Sequence, residues 1–143
     1  MTNLSTRAEQ VIPIIYFEHK ATRNGLYLFG RVGSDETLTV DELPVGAAWF
    51  DPFEGQRVLR GPDGKRLYVK TPGGLWFVDG RASNCTRPDD LVHHCWVRHG
   101  SPEDGTLHVD KDGDTCGCGA SIGQGPGYSD YHGFIVHGRL VSC

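Results

Sequence analysis

Short apolar stretches separated by turn residues dominate the first part of the chain. Residues 11–17 (VIPIIYF) and 26–32 (LYLFGRV) are rich in β-branched and aromatic residues. They predict the two strands of a hairpin, with Asn24-Gly25 in the connection between them. Pro13 has no backbone N–H to donate, so we expect the first strand to lie at a sheet edge or to contain a bulge.

The same pattern continues up to residue 79. Residues 36–40 (ETLTV) predict a third strand, and residues 41–43 are suited to a single helical turn. A meander is then predicted from strands at AAWF (47–50), RVLR (57–60), RLYVK (66–70) and LWFVD (75–79). The Asp-Gly and Pro-Gly pairs between these strands supply fixed or positive φ where the chain reverses.

Beyond the meander the pattern is less regular. A polar loop precedes HHCWVRH (93–99), which alternates like a strand, and TLHV (106–109) is expected to pair back onto it. No long window shows the 3.6-residue apolar spacing of an amphipathic helix. The predicted fold class is therefore mainly β: a small antiparallel sheet or sandwich with long Gly-rich loops and little helix.

The chain length of 143 residues is typical of one domain. We expect residues 1–10 to form an N-terminal arm and residues 11–143 to form one β-rich domain. Aromatic residues such as Trp49, Trp76 and Phe77 are expected in its core. No apolar run reaches 18 residues, and the first ten residues do not resemble an export signal, so we expect neither membrane insertion nor export.

The charge distribution argues against one class of partner. Residues 1–84 contain ten basic and ten acidic groups, whereas residues 85–143 contain four and eight, giving a net charge of -4. Binding to DNA or RNA requires a basic face that displaces counterions from phosphates. No segment concentrates Lys or Arg with interleaved aromatic residues, so we expect no nucleic-acid partner.

All five Cys and six of the seven His residues lie within residues 85–143, which we call the Cys/His unit. Zinc prefers tetrahedral Cys and His ligands, so the unit predicts a structural zinc site. His93 and Cys95 are one residue apart and would share one side of a strand. Buried free thiols beside ordinary histidines explain the same composition. The candidate ligands are Cys85, His93, Cys95, Cys116, Cys118 and His132.

A thiol enzyme is a further alternative for the same unit. A nucleophilic Cys needs a neighbouring base and a third group that orients the base. Cys85 could serve as the nucleophile, with His93 or His132 as the base and Asp89 or Asp90 as the orienting acid.

Long strings in the second half of the chain carry a resemblance. The strings GPDGKRLYVKTPGGLWFVDGRASNCTRPDDLVHHCWVRHG, VDKDGDTC and YHGF resemble a family of small tailed-bacteriophage proteins without an established activity. The resemblance covers residues 44–140. Its pattern marks Cys85, His93, Cys95, His99, Cys116 and His132, and does not include Cys118 or Cys143. The zinc ligands that we expect are Cys85, His93, Cys95, Cys116 and His132.

The resemblance implies a phage origin and two classes of function. The first is a virion component, such as a minor capsid, decoration or adaptor protein, whose partners are phage structural proteins within an assembly. Arms and edge strands suit this role because they add to neighbouring sheets. The alternative is a cytosolic phage factor that acts as a metal- or thiol-dependent enzyme or inhibits a host protein. We expect the protein in the host cytoplasm during infection and, in the first class, in the virion.

Overall fold

A computed structural model describes residues 11–52, 60–61, 63–80, 87, 89–90, 97–110 and 133–142 of the chain. Its described regular structure is a set of short strands with one 3₁₀ turn at Val40–Glu42, so the predicted mainly β class is confirmed. The strands are β1 (Val11–Pro13), β2 (Ile15–Tyr16), β3 (Glu18–Arg23), β4 (Leu26–Gly30), β5 (Ala47–Phe50), β6 (Leu67–Thr71), β7 (Gly74–Phe77), β8 (Val97–His99), β9 (His108–Asp110), β10 (Gly133–Val136) and β11 (Arg139–Ser142).

A four-stranded sheet in the order β2-β5-β6-β7 forms the middle of the described structure, and we call it the central sheet. Strands β5, β6 and β7 pair in this order and are antiparallel, which confirms these three strands of the predicted meander. The direct pairing of β5 with β6 differs from the predicted order, in which the strand at residues 57–60 stood between them. Strand β2 joins the sheet in parallel with β5. Successive side chains in a strand point to opposite faces, so the sheet presents two different surfaces.

One face of the central sheet packs against the C-terminal strands. Ala48, Val69 and Trp76 are cross-strand neighbours on this face and are almost completely buried. They form one apolar cluster with residues from β9, β10 and β11, including Ile135 and Leu140. Burial of large aliphatic and aromatic side chains of this kind is the main favourable contribution to folding.

The opposite face is covered in part by the β3–β4 hairpin and the 3₁₀ turn. Phe17, Phe29, Leu43, Ala47 and Trp49 form its buried cluster. A lysine from the central sheet fixes the turn to this face, because the Nζ of Lys70 donates hydrogen bonds to the carbonyls of Val40, Asp41 and Leu43 at 3.1, 3.2 and 2.7 Å.

The predicted N-terminal hairpin is wrong in its first strand. The residues before Asn24-Gly25 that pair across the turn are those of β3, and residues 11–17 instead contribute β1 and β2 to two different sheets. Asn24 and Gly25 both have positive φ, 53° and 79°, which suits a two-residue hairpin loop whose strands follow immediately on each side. The edge position of Pro13 is confirmed, because β1 ends the described order β1-β11-β10.

The predicted strand at residues 36–40 is also wrong, whereas the helical turn is confirmed. Leu38 forms only an isolated bridge with Phe29. The carboxylate of Glu42 accepts hydrogen bonds from the backbone N–H and the hydroxyl of Thr39 at 2.9 and 3.1 Å. These bonds lower the pKa of Glu42 and form a capping box, which starts the 3₁₀ turn where a strand would have continued.

Several predicted elements fall partly or wholly outside the described residues. These are the arm at 1–10, nearly all of the RVLR strand, the first four residues of 93–99, and most of the Gly-rich loop that precedes β10. Where they are described, β8 and β9 pair in antiparallel fashion as expected. The described ranges contain no helix with the length and apolarity that crossing a bilayer requires.

Candidate functional site

The five predicted zinc ligands lie outside the described residues. They are Cys85, His93, Cys95, Cys116 and His132. Cys118 and Cys143, which the resemblance does not include, lie outside the described residues as well. Within the described ranges, no three His, Cys, Asp or Glu side chains are arranged to hold a metal ion. The zinc site therefore stays a prediction, as does the thiol chemistry proposed for Cys85.

Three histidines of the Cys/His unit do lie together in the described structure. His99 of β8 is the cross-strand partner of His108 of β9, with ring centroids 5.5 Å apart. The ring of His137, in the β10–β11 turn, stacks on His108 at 4.9 Å. The resemblance marks only His99 of these residues, and the β8–β9 register together with the β10–β11 turn brings the other two to it.

An open cavity of about 250 Å³ lies on the face of the central sheet that carries Trp49, and we call it the aromatic pocket. Residues from β4, the 3₁₀ turn and three strands of the central sheet converge on it. Its walls are mostly apolar, and Leu75 stands partly exposed at its rim. The lining residues are Tyr27, Phe29, Val40, Trp49, Asp51, Pro52, Tyr68 and Leu75.

Strand register explains why the aromatic rings on this face of the central sheet meet. Trp49, Tyr68 and Phe77 are cross-strand neighbours on β5, β6 and β7. Their rings stack, with centroids 5.8 Å apart between Trp49 and Tyr68 and 5.4 Å apart between Tyr68 and Phe77. Phe29 of the β3–β4 hairpin adds a fourth ring 5.6 Å from Trp49. Cross-strand aromatic pairs stabilise a sheet and give its surface a fixed shape.

An ion pair with Arg66 offsets the negative charge of Asp51, the acidic residue that lines the aromatic pocket. The Nη1 of Arg66 lies 2.7 Å from the Oδ2 of Asp51, and its Nη2 donates to the hydroxyl of Tyr68 at 2.9 Å. The Arg66 guanidinium also lies 4.6 Å from the ring centroid of Phe77. Burial, with a smaller contribution from Asp51, raises the pKa of Tyr68 despite the opposing charge of Arg66. The Tyr68 hydroxyl therefore stays neutral at physiological pH.

A second cavity, of about 340 Å³, shares Asp51 and Pro52 with the aromatic pocket, and we call it the basic pocket. Lys65 is exposed, and its Nζ lies 4.9 Å from the ring centroid of Phe50. The Nη1 of Arg60 donates to the carbonyl of Gly64 at 3.1 Å. Among the described residues, neither cation forms an ion pair. The lining residues are Tyr16, His19, Phe50, Asp51, Pro52, Arg60, Gly64 and Lys65.

A buried ion network holds the turn that carries the two cations. Arg98 of β8 is only 3% exposed, and its Nε donates to the carboxylate of Asp79 at 2.9 Å. Its Nη1 and Nη2 donate to Asp63 at 3.1 and 2.7 Å, and Nη2 also donates to the carbonyl of Lys65. Asp79 in turn accepts the backbone N–H of Leu67 at 2.8 Å. The network therefore fixes the turn before β6, and with it the wall of the basic pocket.

The pKa values of the two carboxylates in this network, Asp79 and Asp63, are shifted in opposite directions. Burial raises the pKa of Asp79 above its ordinary value of 3.8, despite the charge of Arg98. Burial also acts to raise the pKa of Asp63, but the hydrogen bonds from Arg98 and the Lys65 N–H outweigh it, and the pKa is lowered. Asp63 consequently stabilises the fold above pH 3.8 and loses that effect as pH falls through its folded pKa. The contribution of Asp79 is present below pH 3.8 and is lost as pH rises through its folded pKa.

Neither pocket was evident from the sequence. The aromatic residues were expected in the core, which is confirmed for Trp49 and Trp76, with exposed fractions of 3% and 5%. Tyr27 and Tyr68 are only half-buried, and their open sides line the aromatic pocket. The sequence indicated neither the β5–β6 register that pairs Trp49 with Tyr68 nor the approach of the β3–β4 hairpin.

Comparisons with models of protein families, with curated proteins and with solved structures each found no match to this chain.

Proposed function

We propose that this chain is a bacteriophage structural protein, such as a minor capsid, decoration or adaptor protein, that binds another protein of the particle through the aromatic pocket. The observation that carries the proposal is the pocket itself, an apolar cavity bounded by stacked rings on a sheet face. Pockets of this kind receive the anchoring side chain of a protein partner. The resemblance of residues 44–140 supports the phage origin.

The size of the aromatic pocket favours a protein partner over a cofactor. Sites for cofactors and drug-sized ligands usually have volumes of about 300–1,000 Å³. A cavity of about 250 Å³ is smaller and matches a single large side chain. The surrounding strands are short and paired, so the pocket is held by the sheet rather than by one loop. A partner side chain would enter a site that is already formed, which reduces the entropy lost on binding.

Incorporation into the virion tests this role directly. Mass spectrometry of purified phage particles is expected to detect the protein. Particles from a phage that encodes Leu75→Arg are expected to contain less than about a tenth of the wild-type amount, because a charge at the rim obstructs an anchor worth about 2 kcal/mol or more. Leu26→Arg is the matched control, because Leu26 is 56% exposed and does not line the pocket. Its incorporation should equal that of the wild type.

Two outcomes would contradict this proposal. Purified particles without the protein would exclude a virion role. Equal incorporation of the Leu75→Arg and wild-type proteins would show that the aromatic pocket is not the binding surface. Thermal unfolding of both variants provides the necessary check, because the two substitutions are at exposed positions and should leave the melting temperature nearly unchanged.

We also propose that the Cys/His unit holds a structural zinc ion. The chemistry of the donor set supports it, since thiolates and imidazoles are the usual ligands of structural zinc. Elemental analysis of purified protein is expected to find about one zinc ion per chain. Cys95→Ser should lose most of the zinc, whereas the control Cys143→Ser should retain it, because the resemblance does not include Cys143. A zinc content near zero in the wild type would disprove this part of the proposal.

A further inference from the structure

We propose that the aromatic pocket and the basic pocket form one two-part groove, and that its ligand is an extended peptide segment of the partner in which a carboxylate lies near a large apolar side chain. The apolar side chain enters the aromatic pocket and the carboxylate enters the basic pocket. The inference rests on the proposed function in that it names the chemistry of the partner.

The two cavities are neighbours rather than separate sites. Both are lined by Asp51 and Pro52, which form the partition between them. His19 lines the basic pocket, and its ring contacts Tyr27 and Phe29 of the aromatic pocket with centroids 5.7 and 5.8 Å away. Trp49 and Phe50 alternate along β5 and pack against clusters on opposite faces of the central sheet, so the two cavities meet at the end of β5. A ligand that crosses the partition passes around this strand end from one cavity to the other.

The charges around the partition determine what the ligand carries. Asp51 is the carboxylate common to both cavities, and its ion pair with Arg66 offsets its charge. Lys65 and Arg60 are opposed by no acidic partner among the described residues. The positive charge of Lys65 is placed over the Phe50 ring at an exposed position, where a ligand can approach it. The groove consequently favours a ligand with a carboxylate beside its apolar part.

A nucleic acid is a poorer match for the same groups. Binding of a single strand uses a row of cations along the backbone and exposed rings on which bases stack. The basic pocket offers two described Lys or Arg cations, too few to follow a phosphate backbone. The chain as a whole also carries a net charge of -4. A peptide needs only one cavity for an apolar side chain and one for a carboxylate.

The test uses the full chain and three short fluorescein-labelled peptides in fluorescence anisotropy titrations. The first peptide has a central Phe flanked by Glu residues, the second has Gln in place of each Glu, and the third has Ala in place of Phe. The Glu and Phe peptide should bind about tenfold more tightly than either of the others. Its advantage over the Gln peptide should shrink at high salt because exposed charges are screened.

Protein variants assign each part of the peptide to its cavity. Lys65→Met keeps the apolar stem over Phe50 and should weaken binding of the Glu peptide about five- to tenfold without changing the Gln peptide. Leu75→Arg should weaken binding of the Phe peptide but not of its Ala counterpart. Lys20→Met is the matched control, because Lys20 pairs with Glu18 and lines neither cavity, and it should bind like the wild type.

The inference is wrong if the Glu and Phe peptide does not bind, if the Gln peptide binds equally well, or if Lys65→Met and Lys20→Met behave alike. Oligodeoxythymidylate provides a competitor for the labelled peptide. If it displaces the peptide at a lower concentration than unlabelled peptide does, the groove is assigned to nucleic acid instead. The virion assay is independent of these results. If the protein is present in particles but does not bind the peptide, the proposed function stands and the peptide groove is disproved. If the protein binds the peptide but is absent from particles, the groove stands and the virion role is disproved.

Discussion

Replacement of Arg98 by Met is expected to lower the free energy of unfolding by about 3–5 kcal/mol, as is typical when one partner of a buried ion pair is removed. Asp79 is 3% exposed and would lose the charged donor that compensates its burial. Asp63 and the Lys65 carbonyl would lose their hydrogen bonds as well, so the turn before β6 would lose its main attachment to β8.

Chemical denaturation of the purified variants measures this loss. Arg23→Met is a suitable control, because Arg23 is exposed at the end of β3 and should change the free energy of unfolding by no more than about 0.5 kcal/mol. The double variant Arg98→Met with Asp79→Leu removes both buried charges. It should recover part of the loss, since apolar replacement of a whole buried pair is often close to neutral. A small effect of Arg98→Met alone would show that the network contributes little to stability.

The β6–β7 hairpin of the predicted meander could be predicted because its signals are local. Turn residues such as those at Thr71–Gly74 lie directly between the strands they connect, and alternation along β5, β6 and β7 sets which side chains share a face. The same is true of the 3₁₀ turn, where the spacing of Thr39 and Glu42 provides the cap. In each case the residues that determine the structure lie within a few positions of one another.

The long-range pairings could not be predicted in the same way. Val11 of β1 pairs with Val141 of β11, and Ile15 of β2 pairs with Ala47 of β5 in parallel. No turn connects either pair, so no local residue specifies it. The apolar run at residues 11–17 predicts strand structure correctly, but the partner depends on which exposed sheet edge offers an apolar surface.

Prediction of the groove would have required both the local signals and the long-range pairings. Alternation sets which residues within β5 or within β6 share a face, but Trp49 meets Tyr68 only through the β5–β6 register. Tyr27 reaches them only because the β3–β4 hairpin folds over the central sheet. The side chain of Arg98 showed no sequence signal of its role, since a lone Arg in a strand is usually exposed. Its burial depends on Asp63 and Asp79, which lie in two turns far from it in sequence.

We expect substitution of Gly61 to destabilise the protein because a side chain would collide with its neighbours, and not because of the backbone conformation of Gly61. A Cβ at this position would lie within 2.3 Å of the Nη2 of Arg98 and 2.6 Å of the Oδ1 of Asp79, and both atoms belong to the buried ion network. Gly61→Ala is therefore expected to cost about 2–3 kcal/mol by overpacking. Thermal or chemical unfolding of the purified variant measures this cost.

Gly64, in the same turn, provides the matched control. It has a φ of +77°, and no heavy atom lies within 4 Å of the place that a Cβ would occupy, so Gly64→Ala should cost only about 1 kcal/mol through backbone strain. Combining Gly61→Ala with Arg98→Met should make the Gly61 substitution less destabilising than it is alone, because the closest clashing atom has been removed. Equal costs for the two glycines, or strict additivity with Arg98→Met, would mean that Gly61 is needed for the shape of the turn and not for its contact with the ion network.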